Sequence, residues 1–319
     1  LNAFSRAMRD GISRDGRHLY PVLPYPHFTR ATDADIAALY AFAMTRTPVR
    51  QEPPPNQLGF PFNQRWLLAG WNLLFLRPGP WQPNPAHDAI WNRGFYLVEG
   101  VGHCGACHSP HNALGAERGS QALAGGTAEG WYAPPLQAGS PAPQRWTVGE
   151  IETYLRTGYD RHHGAAAGPM TAVTEELGRV PEADTHAIAI YIASLMPQDR
   201  PEAAPVPPAP APDTEAAALF AGACGSCHAA DAPMVRGGAP LLSSSSSVVA
   251  PTALGVVQAI LHGIPWREGR AAPYMPAFAD TLTDAQIGAL TTYVRRRWGG
   301  KDEDVSADTV RKARAEEGS

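Results

Sequence analysis

The chain has 319 residues, of which 44% are hydrophobic and 18% charged, so it has enough apolar content to form folded cores. A net charge of −4 at pH 7 gives no reason to expect nucleic acid as a partner. The sequence has no run of the roughly 18 apolar residues that a membrane-spanning helix needs. The nearest stretch, 66–76, is interrupted by Gly70 and Asn72, and we expect it to be a core or docking segment.

A helix–glycine–loop–helix pattern occurs three times along the chain. Each copy has apolar residues at helical spacing, a glycine that predicts the helix end, and a second helical pattern. The first helices begin near Phe4, Ile151 and Val256, and the glycines are Gly11, Gly158 and Gly263. Twelve residues after each glycine stand Leu23, Met170 and Met275. The second helices are predicted at 33–44, 182–195 and 283–298.

All four cysteines occur in two five-residue motifs, C-G-A-C-H and C-G-S-C-H. The residues are Cys104, Cys107 and His108 in the first motif, and Cys224, Cys227 and His228 in the second. Cysteines at this spacing can form a redox disulfide, part of a zinc site or a haem attachment site.

The histidine after each pair decides between these readings. Positions i, i+3 and i+4 share one helix face, so both thiols can bond the vinyl groups of a haem while the histidine meets the iron. A shared zinc ion would need two pairs that lie 120 residues apart. A thioredoxin-like motif should follow a strand, whereas a helical pattern precedes Cys104. We therefore predict two covalent c-type haems.

Met170 and Met275 are the predicted ligands on the opposite side of each iron. Thioether sulfur suits haem iron opposite histidine, and these two methionines lie at matched, proline-flanked positions that we expect to be loops. Most methionines are core residues instead. Met8, Met44 and Met196 fit helical patterns, and Met234 lies too close to His228 to reach the far face of its haem.

Six other histidines are expected to be surface or loop residues: His103, His111, His162, His163, His18 and His27. His18 and His27 flank the ligand position of the first copy, and serving an upstream haem is the alternative for them. A backbone carbonyl near Pro135-Leu136, and one near Pro240-Leu241, are candidates to accept a hydrogen bond from the histidine of each motif. Ordinary loop prolines are an equal alternative at both places.

The sequence resembles the three-haem cytochrome c subunits of bacterial membrane-associated dehydrogenases for alcohol, gluconate, aldehyde and nicotinate. The matching segments are SRDGRHLYP (13–21), FPFNQR (60–65), AGWNLLF (69–75), WNRGFYLVEGVGHCGACHSPHNALGAE (91–117), LAGG (123–126), GPM (168–170) and MPAF (275–278). The resemblance implies an all-α fold of tandem class I cytochrome c domains with long irregular loops. It also implies a periplasmic location at the inner membrane, reached through partners or a surface segment. FPFNQR and NALGAE are most similar to members that accompany molybdenum hydroxylases.

We expect six segments. They are the C-terminal half of a first cytochrome domain (1–50), a connector (51–86), a haem domain (87–198), a Pro-rich linker (199–212), a second haem domain (213–299) and a charged, surface-lying tail (300–319). SSSSS (243–247) is predicted to be a flexible loop. Residues 1–46 have apolar helix faces, which we expect to pack on an upstream segment carrying a third haem, or on a partner. Leu23 stands in this copy where many relatives have methionine.

The predicted function is electron transfer from a catalytic dehydrogenase subunit to quinone or another cytochrome. Haem iron with two protein ligands has no open position for substrate, so we expect no catalytic residues on this chain. A di-haem peroxidase is the alternative enzyme, and it would need a vacant or displaceable ligand. A structural module with vestigial haems is the third possibility, and two intact motifs argue against it.

Overall fold

The computed structural model describes residues 1–52, 54–197, 214–229, 231–237, 241–266 and 273–316. In these ranges helices form nearly all the regular structure, and the named strands make two small antiparallel sheets. The predicted all-α fold class is confirmed. The Pro-rich linker, Pro240 and the end of the predicted tail lie outside the described residues.

The chain divides into two units, of residues 1–106 with 113–116 and of residues 107–112 with 117–319. The helices of the first unit are α1 (Asn2–Asp10), α2 (Tyr25–Phe28), α3 (Asp33–Met44), α4 (Leu67–Phe75) and α5 (Ala89–Tyr96). A π-helical turn, Leu97–Val101, extends α5 toward the first cysteine motif, as the apolar pattern before Cys104 predicts.

The first unit has a small core in which Met8, Ala31 and Ile36 are buried. Phe4 packs against this core, and its ring centroid lies 5.5 Å from that of Tyr40. The predicted apolar faces of α1 and α3 therefore cover each other in part. On α3, the side chains of Leu39 and Phe42 stay exposed.

The elements around the first motif come next, and the second unit starts within the first of them, at residue 107. They are α6 (Gly105–His108), a 3₁₀ turn (Gly119–Gln121), β1 (Gly126–Ala128), β2 (Trp131–Ala133), α7 (Val148–Thr157), β3 (Tyr159–Asp160), β4 (Gly164–Ala165), α8 (Pro169–Leu177) and α9 (Glu182–Leu195). β1 pairs with β2, and β3 pairs with β4, both antiparallel. α7 and α9 pack against each other and correspond to the two predicted helices of this copy.

The elements around the second motif follow. They are α10 (Thr214–Ala223), α11 (Gly225–His228), α12 (Pro233–Arg236), a 3₁₀ turn (Leu242–Ser244), α13 (Ser246–Val249), α14 (Leu254–His262), α15 (Asp284–Gly299) and α16 (Ala307–Glu316). A hydrophobic core runs through this part and includes Val257, Leu261, Ile287 and Leu290, which are almost fully buried.

The three predicted glycine stops are confirmed. Gly11, Gly158 and Gly263 follow the last residues of α1, α7 and α14, with φ of 64°, 74° and 67°. Gly11 and Gly158 have the left-handed helical conformation, whereas Gly263 has a ψ of −160°, and glycine adopts both conformations without the steric cost that a Cβ adds. The starts of α7 and α15 are equally regular, because each has a capping box, Thr147 with Glu150 and Thr283 with Gln286.

Two local predictions are wrong. The charged tail is not confined to the surface, because α16 packs against α15 and buries Val310 and Ala313 in the hydrophobic core. The apolar residues of α16 lie on one face of the helix, and the many charged residues between them made this pattern hard to recognise in the sequence. The serine run is not a plain loop either, because it forms the 3₁₀ turn and α13, with Val248 buried.

α4 carries the apolar segment 66–76, with Leu68 buried and Leu73 and Leu74 exposed. Among the residues that the structure describes, no helix combines the length and the apolarity needed to cross a membrane.

Candidate functional site

The first cysteine motif forms a single helical turn. The N–H of Cys104 donates to the carbonyl of Val98 at 3.0 Å, so the π-helical turn leads directly into α6. His103 joins the two with a φ of 41°, in the left-handed region that non-glycine residues rarely adopt. This local geometry places Cys104, Cys107 and His108 at helical spacing, as the haem interpretation requires.

A backbone carbonyl orients the imidazole of His108. Nδ1 lies 2.6 Å from the carbonyl oxygen of Pro134, just after β2. A carbonyl can only accept, so Nδ1 carries the proton and Nε2 keeps its lone pair. The expected acceptor near Pro135-Leu136 is thus found one residue earlier. Burial lowers the pKa of His108, and the hydrogen bond to Pro134 opposes this in part.

The β1–β2 hairpin links this motif to the segment that contains Met170. Gly126 passes so close to the motif that a Cβ would lie 2.5 Å from the carbonyl oxygen of Cys107. At the other end, the indole of Trp131 contacts Gly168, two residues before Met170. Met170 itself is half-buried in the first turn of α8, so the prediction of a loop at this position is wrong. Sequence reasoning did not identify Trp131, whose contact with Gly168 arises only in the folded chain.

The second motif, α11, begins directly after α10. The N–H of Cys224 donates to the carbonyl of Phe220 at 2.8 Å, and the N–H of His228 donates to that of Cys224 at 2.9 Å. Cys224 and Met275 both pack against the hydrophobic core of this part of the chain. The structure therefore brings the motif and the second predicted methionine to the same core.

Met275 lies in an extended segment that pairs with the end of α14. It exchanges two backbone hydrogen bonds with Ile264, at 2.9 and 3.0 Å. Gly263 is required beside this pairing, because a Cβ there would overlap the carbonyl oxygen of Met275. The partner predicted for His228 near Pro240 lies outside the described ranges, and Leu241 is exposed.

The thiols lack the features of a redox or zinc site. None of the four cysteines, all within the described ranges, forms a disulfide. Burial raises the pKa of the Cys224 thiol to about 11 and also raises that of Cys107, whereas a reactive cysteine needs a lowered pKa. Within the described part of the chain, no cysteine joins a group of three or more possible metal ligands.

Two of the other histidines, His27 and His163, lie in environments that differ from the predicted ones. His27 is buried in α2, with Nδ1 hydrogen-bonded to the carbonyl of Glu99 at 2.9 Å, so it is not a loop residue. His163 is buried against Trp146 rather than facing solvent, because the two rings stack with centroids 3.5 Å apart. His162 and His111 are exposed as predicted.

Two one-turn C-x-x-C-H helices in an all-α chain, one with its histidine hydrogen-bonded through Nδ1, define this protein as a c-type cytochrome. Residues 211–294 match the family described as cytochrome C oxidase, cbb3-type, subunit III.

Three similar proteins give the assignment more detail. The chain is 48% identical over 303 residues to a subunit of nicotinate dehydrogenase from Pseudomonas putida, an alignment that covers 93% of this chain and 25% of that protein. It is 35% identical over 349 residues to the fructose dehydrogenase cytochrome subunit of Gluconobacter japonicus, covering 99% of this chain and 71% of that one. A diheme cytochrome c-type protein of Cereibacter sphaeroides is 40% identical over 187 residues, covering 58% of this chain and 62% of that protein.

The chain belongs to the family of dehydrogenase cytochrome c subunits, which includes subunits named for fructose, alcohol and gluconate dehydrogenases. Its cofactor is haem c, and its role is electron transfer. It spans about a quarter of the length of the nicotinate dehydrogenase subunit that it matches.

Proposed function

We propose that this chain carries two covalent haems and passes electrons from a catalytic dehydrogenase subunit to quinone or a downstream cytochrome. Cys104 and Cys107 hold the first haem, and Cys224 and Cys227 hold the second. His108 with Met170, and His228 with Met275, are the axial pairs.

The hydrogen bond from His108 to Pro134 is the observation that carries this proposal. A histidine that ligates a metal usually donates its second ring N–H to a carbonyl or carboxylate, which sets both tautomer and ring orientation. With Nδ1 only 2.6 Å from a carbonyl acceptor, we propose Nε2 as the ligand atom.

Each residue of the site has a separate task. The four cysteines would attach the haems through thioether bonds, and the two histidines and two methionines would hold the irons. When bound, haem supplies one-electron iron chemistry. With a histidine and a methionine on each iron, substrate would have no open position there, so the role that we propose is electron transfer and not catalysis.

We favour a molybdenum hydroxylase as the partner, with a quinoprotein or flavoprotein as the other choices. The support is the resemblance at FPFNQR and NALGAE and the 48% identity to the nicotinate dehydrogenase subunit. We propose a periplasmic location with peripheral association at the inner membrane. The resemblance to subunits of membrane-associated dehydrogenases supports this location.

Intact mass and partner capture test the proposal. The denatured chain should exceed its polypeptide mass by two haems, and acidified organic solvent should extract none. Tagged chain purified from its own cells should bring down a dehydrogenase, whose cofactor is then read by elemental analysis for molybdenum. Extractable haem would refute covalent attachment, and peroxide turnover by the isolated chain would favour the peroxidase alternative.

A further inference from the structure

Four side chains gather beside the first turn of α7, away from both cysteine motifs in sequence. We call Glu150, Asp160, His162 and His163 the hairpin cluster, because three of them lie on or between β3 and β4. One ligand atom from each of Glu150, Asp160 and His162 lies within 4.8 Å of the others. Nδ1 of His162 is 2.7 Å from Oε1 of Glu150.

His163 is the unusual member of this cluster. Its side chain is 0% exposed, and neither ring nitrogen has a hydrogen-bond partner in the described part of the chain. Its Nε2 points toward the cluster, 3.5 Å from Oε2 of Glu150. Buried polar groups without partners are rare in folded proteins, and an ion or water is a standard explanation. Trp146 holds the ring in place by stacking on it at an interplanar angle of 11°.

The cluster also holds two carboxylates close together. Asp160 is only 6% exposed, and its carboxylate accepts a hydrogen bond from the backbone N–H of His162 at 2.8 Å. A buried carboxylate is costly unless a cation or several donors compensate it. Burial alone would raise the pKa of Glu150, but hydrogen bonds from Thr147 and His162 outweigh this and lower it to about 2, so this carboxylate is ionised.

We propose that the hairpin cluster binds one divalent transition-metal ion of the Zn²⁺ type. Ligand atoms of Glu150, Asp160 and His162 already lie together, and His163, whose Nε2 is 3.5 Å from Glu150, would move in to complete a four-ligand N/O set that suits tetrahedral Zn²⁺. Two carboxylates balance the charge of the ion. Two imidazoles disfavour Ca²⁺ and Mg²⁺, which take oxygen ligands.

An ion here would join the start of α7 to the β3–β4 hairpin. The hairpin ends at Ala165, three residues before Gly168, which caps the start of the helix α8 that contains Met170. The inference does not depend on the haem assignment, because its ligands are distinct from the proposed haem ligands.

Titration with Zn²⁺ tests the proposal on the complete, haem-containing chain. The protein is freed of loose metal with a chelator and titrated with zinc chloride by calorimetry, and the ligands are read by X-ray absorption at the zinc edge. We expect one Zn²⁺ per chain with nitrogen and oxygen ligands. Ni²⁺ should compete with Zn²⁺, and Ca²⁺ should not.

Three variants locate the ion. Glu150→Gln keeps the helix cap, as Gln286 does at the start of α15, but loses the carboxylate charge. Asp160→Asn keeps the acceptor for the N–H of His162, and His162→Gln changes an exposed side chain that folding tolerates. Each should weaken Zn²⁺ binding at least about tenfold, since even outer-shell changes at metal sites cost that much.

His186→Gln is the matched control. His186 pairs with Glu152 at 2.9 Å on the exposed side of α7 and α9, so it is a histidine–carboxylate pair outside the cluster. This variant should bind Zn²⁺ like the parent chain. Failure of the parent chain to bind Zn²⁺, or parent-like binding by all three cluster variants, would overturn the proposal.

Discussion

Trp131 and Gly168 are in direct contact, and this contact joins the hairpin beside the first haem motif to the segment carrying Met170. A Cβ on Gly168 would overlap the indole, with Nε1 at only 2.6 Å. Gly168 also has a φ of 55°, which side chains rarely adopt. Space and backbone conformation therefore both require glycine at this position.

Gly168→Ala should displace Trp131 or the start of α8. Overpacking and left-handed strain together predict a loss of about 2–4 kcal/mol in the free energy of unfolding. If Met170 ligates iron, the variant should also weaken the methionine–iron charge-transfer band of the oxidised protein. Denaturant titration and the near-infrared spectrum measure the two effects.

Gly149→Ala is the control for this change. Gly149 lies in α7 with open space where a Cβ would be, so alanine should be neutral or stabilise the helix by up to about 1 kcal/mol. Equal stability of the Gly168→Ala and Gly149→Ala proteins would show that Trp131 can move away from a Cβ at little energetic cost.

Met170→His and Met275→His should each lower the reduction potential of one haem. Imidazole favours ferric iron more than thioether does, and axial ligands account for much of a range of about 0.8 V among haem proteins. Spectroscopic redox titration resolves the two haems. Met234→His is the control, because Met234 is exposed on α12 and should leave both potentials unchanged. Unaltered potentials in either ligand variant would remove that methionine from the axial assignment.

Val310→Ala should destabilise the last part of the chain even though α16 is highly charged. Val310 is 0% exposed in the hydrophobic core, so truncation leaves a cavity and should cost about 1–2.5 kcal/mol. Arg311→Ala removes the next side chain, which is exposed and forms a surface ion pair with Asp308, and should change stability by less than about 0.5 kcal/mol. Thermal unfolding compares the two, and equal effects would mean that α16 contributes nothing through burial.

Stability of the first unit should fall at alkaline pH through Tyr25. Burial raises the pKa of this tyrosine to about 12, and its hydroxyl donates to Oδ1 of Asn72 at 2.7 Å. A raised pKa means that the folded state holds the proton more tightly. The contribution is therefore complete below the unfolded pKa of about 10 and is lost as pH rises toward 12, by up to about 2–3 kcal/mol.

Denaturant titrations between neutral pH and the alkaline range measure this loss. Tyr25→Phe removes the titrating group and should flatten the alkaline limb, at a cost of about 1 kcal/mol at neutral pH for the lost hydrogen bond. An alkaline limb unchanged in this variant would assign the loss to another group.

Local patterns predicted much of what the structure contains. Helical spacing and terminal glycines predicted α1, α3, α7, α9, α14 and α15, because side-chain periodicity and left-handed caps act within a few residues. The C-x-x-C-H turns could also be predicted, since their geometry depends on consecutive residues. Composition gave a wrong prediction for α16, because its high charge suggested a surface segment although one face of the helix is apolar. It also gave a wrong prediction for His163, because the neighbouring glycines suggested an exposed loop.

The sequence by itself determined the class of protein and its haem motifs, because covalent attachment needs only residues adjacent along one turn of helix. Only the tertiary structure decided which carbonyl orients His108, that Trp131 packs on Gly168, and that Met275 and Cys224 share one core. It also brought Glu150 together with His163. These contacts join residues from separate elements, and their distances follow from how helices and hairpins pack, which no local pattern encodes.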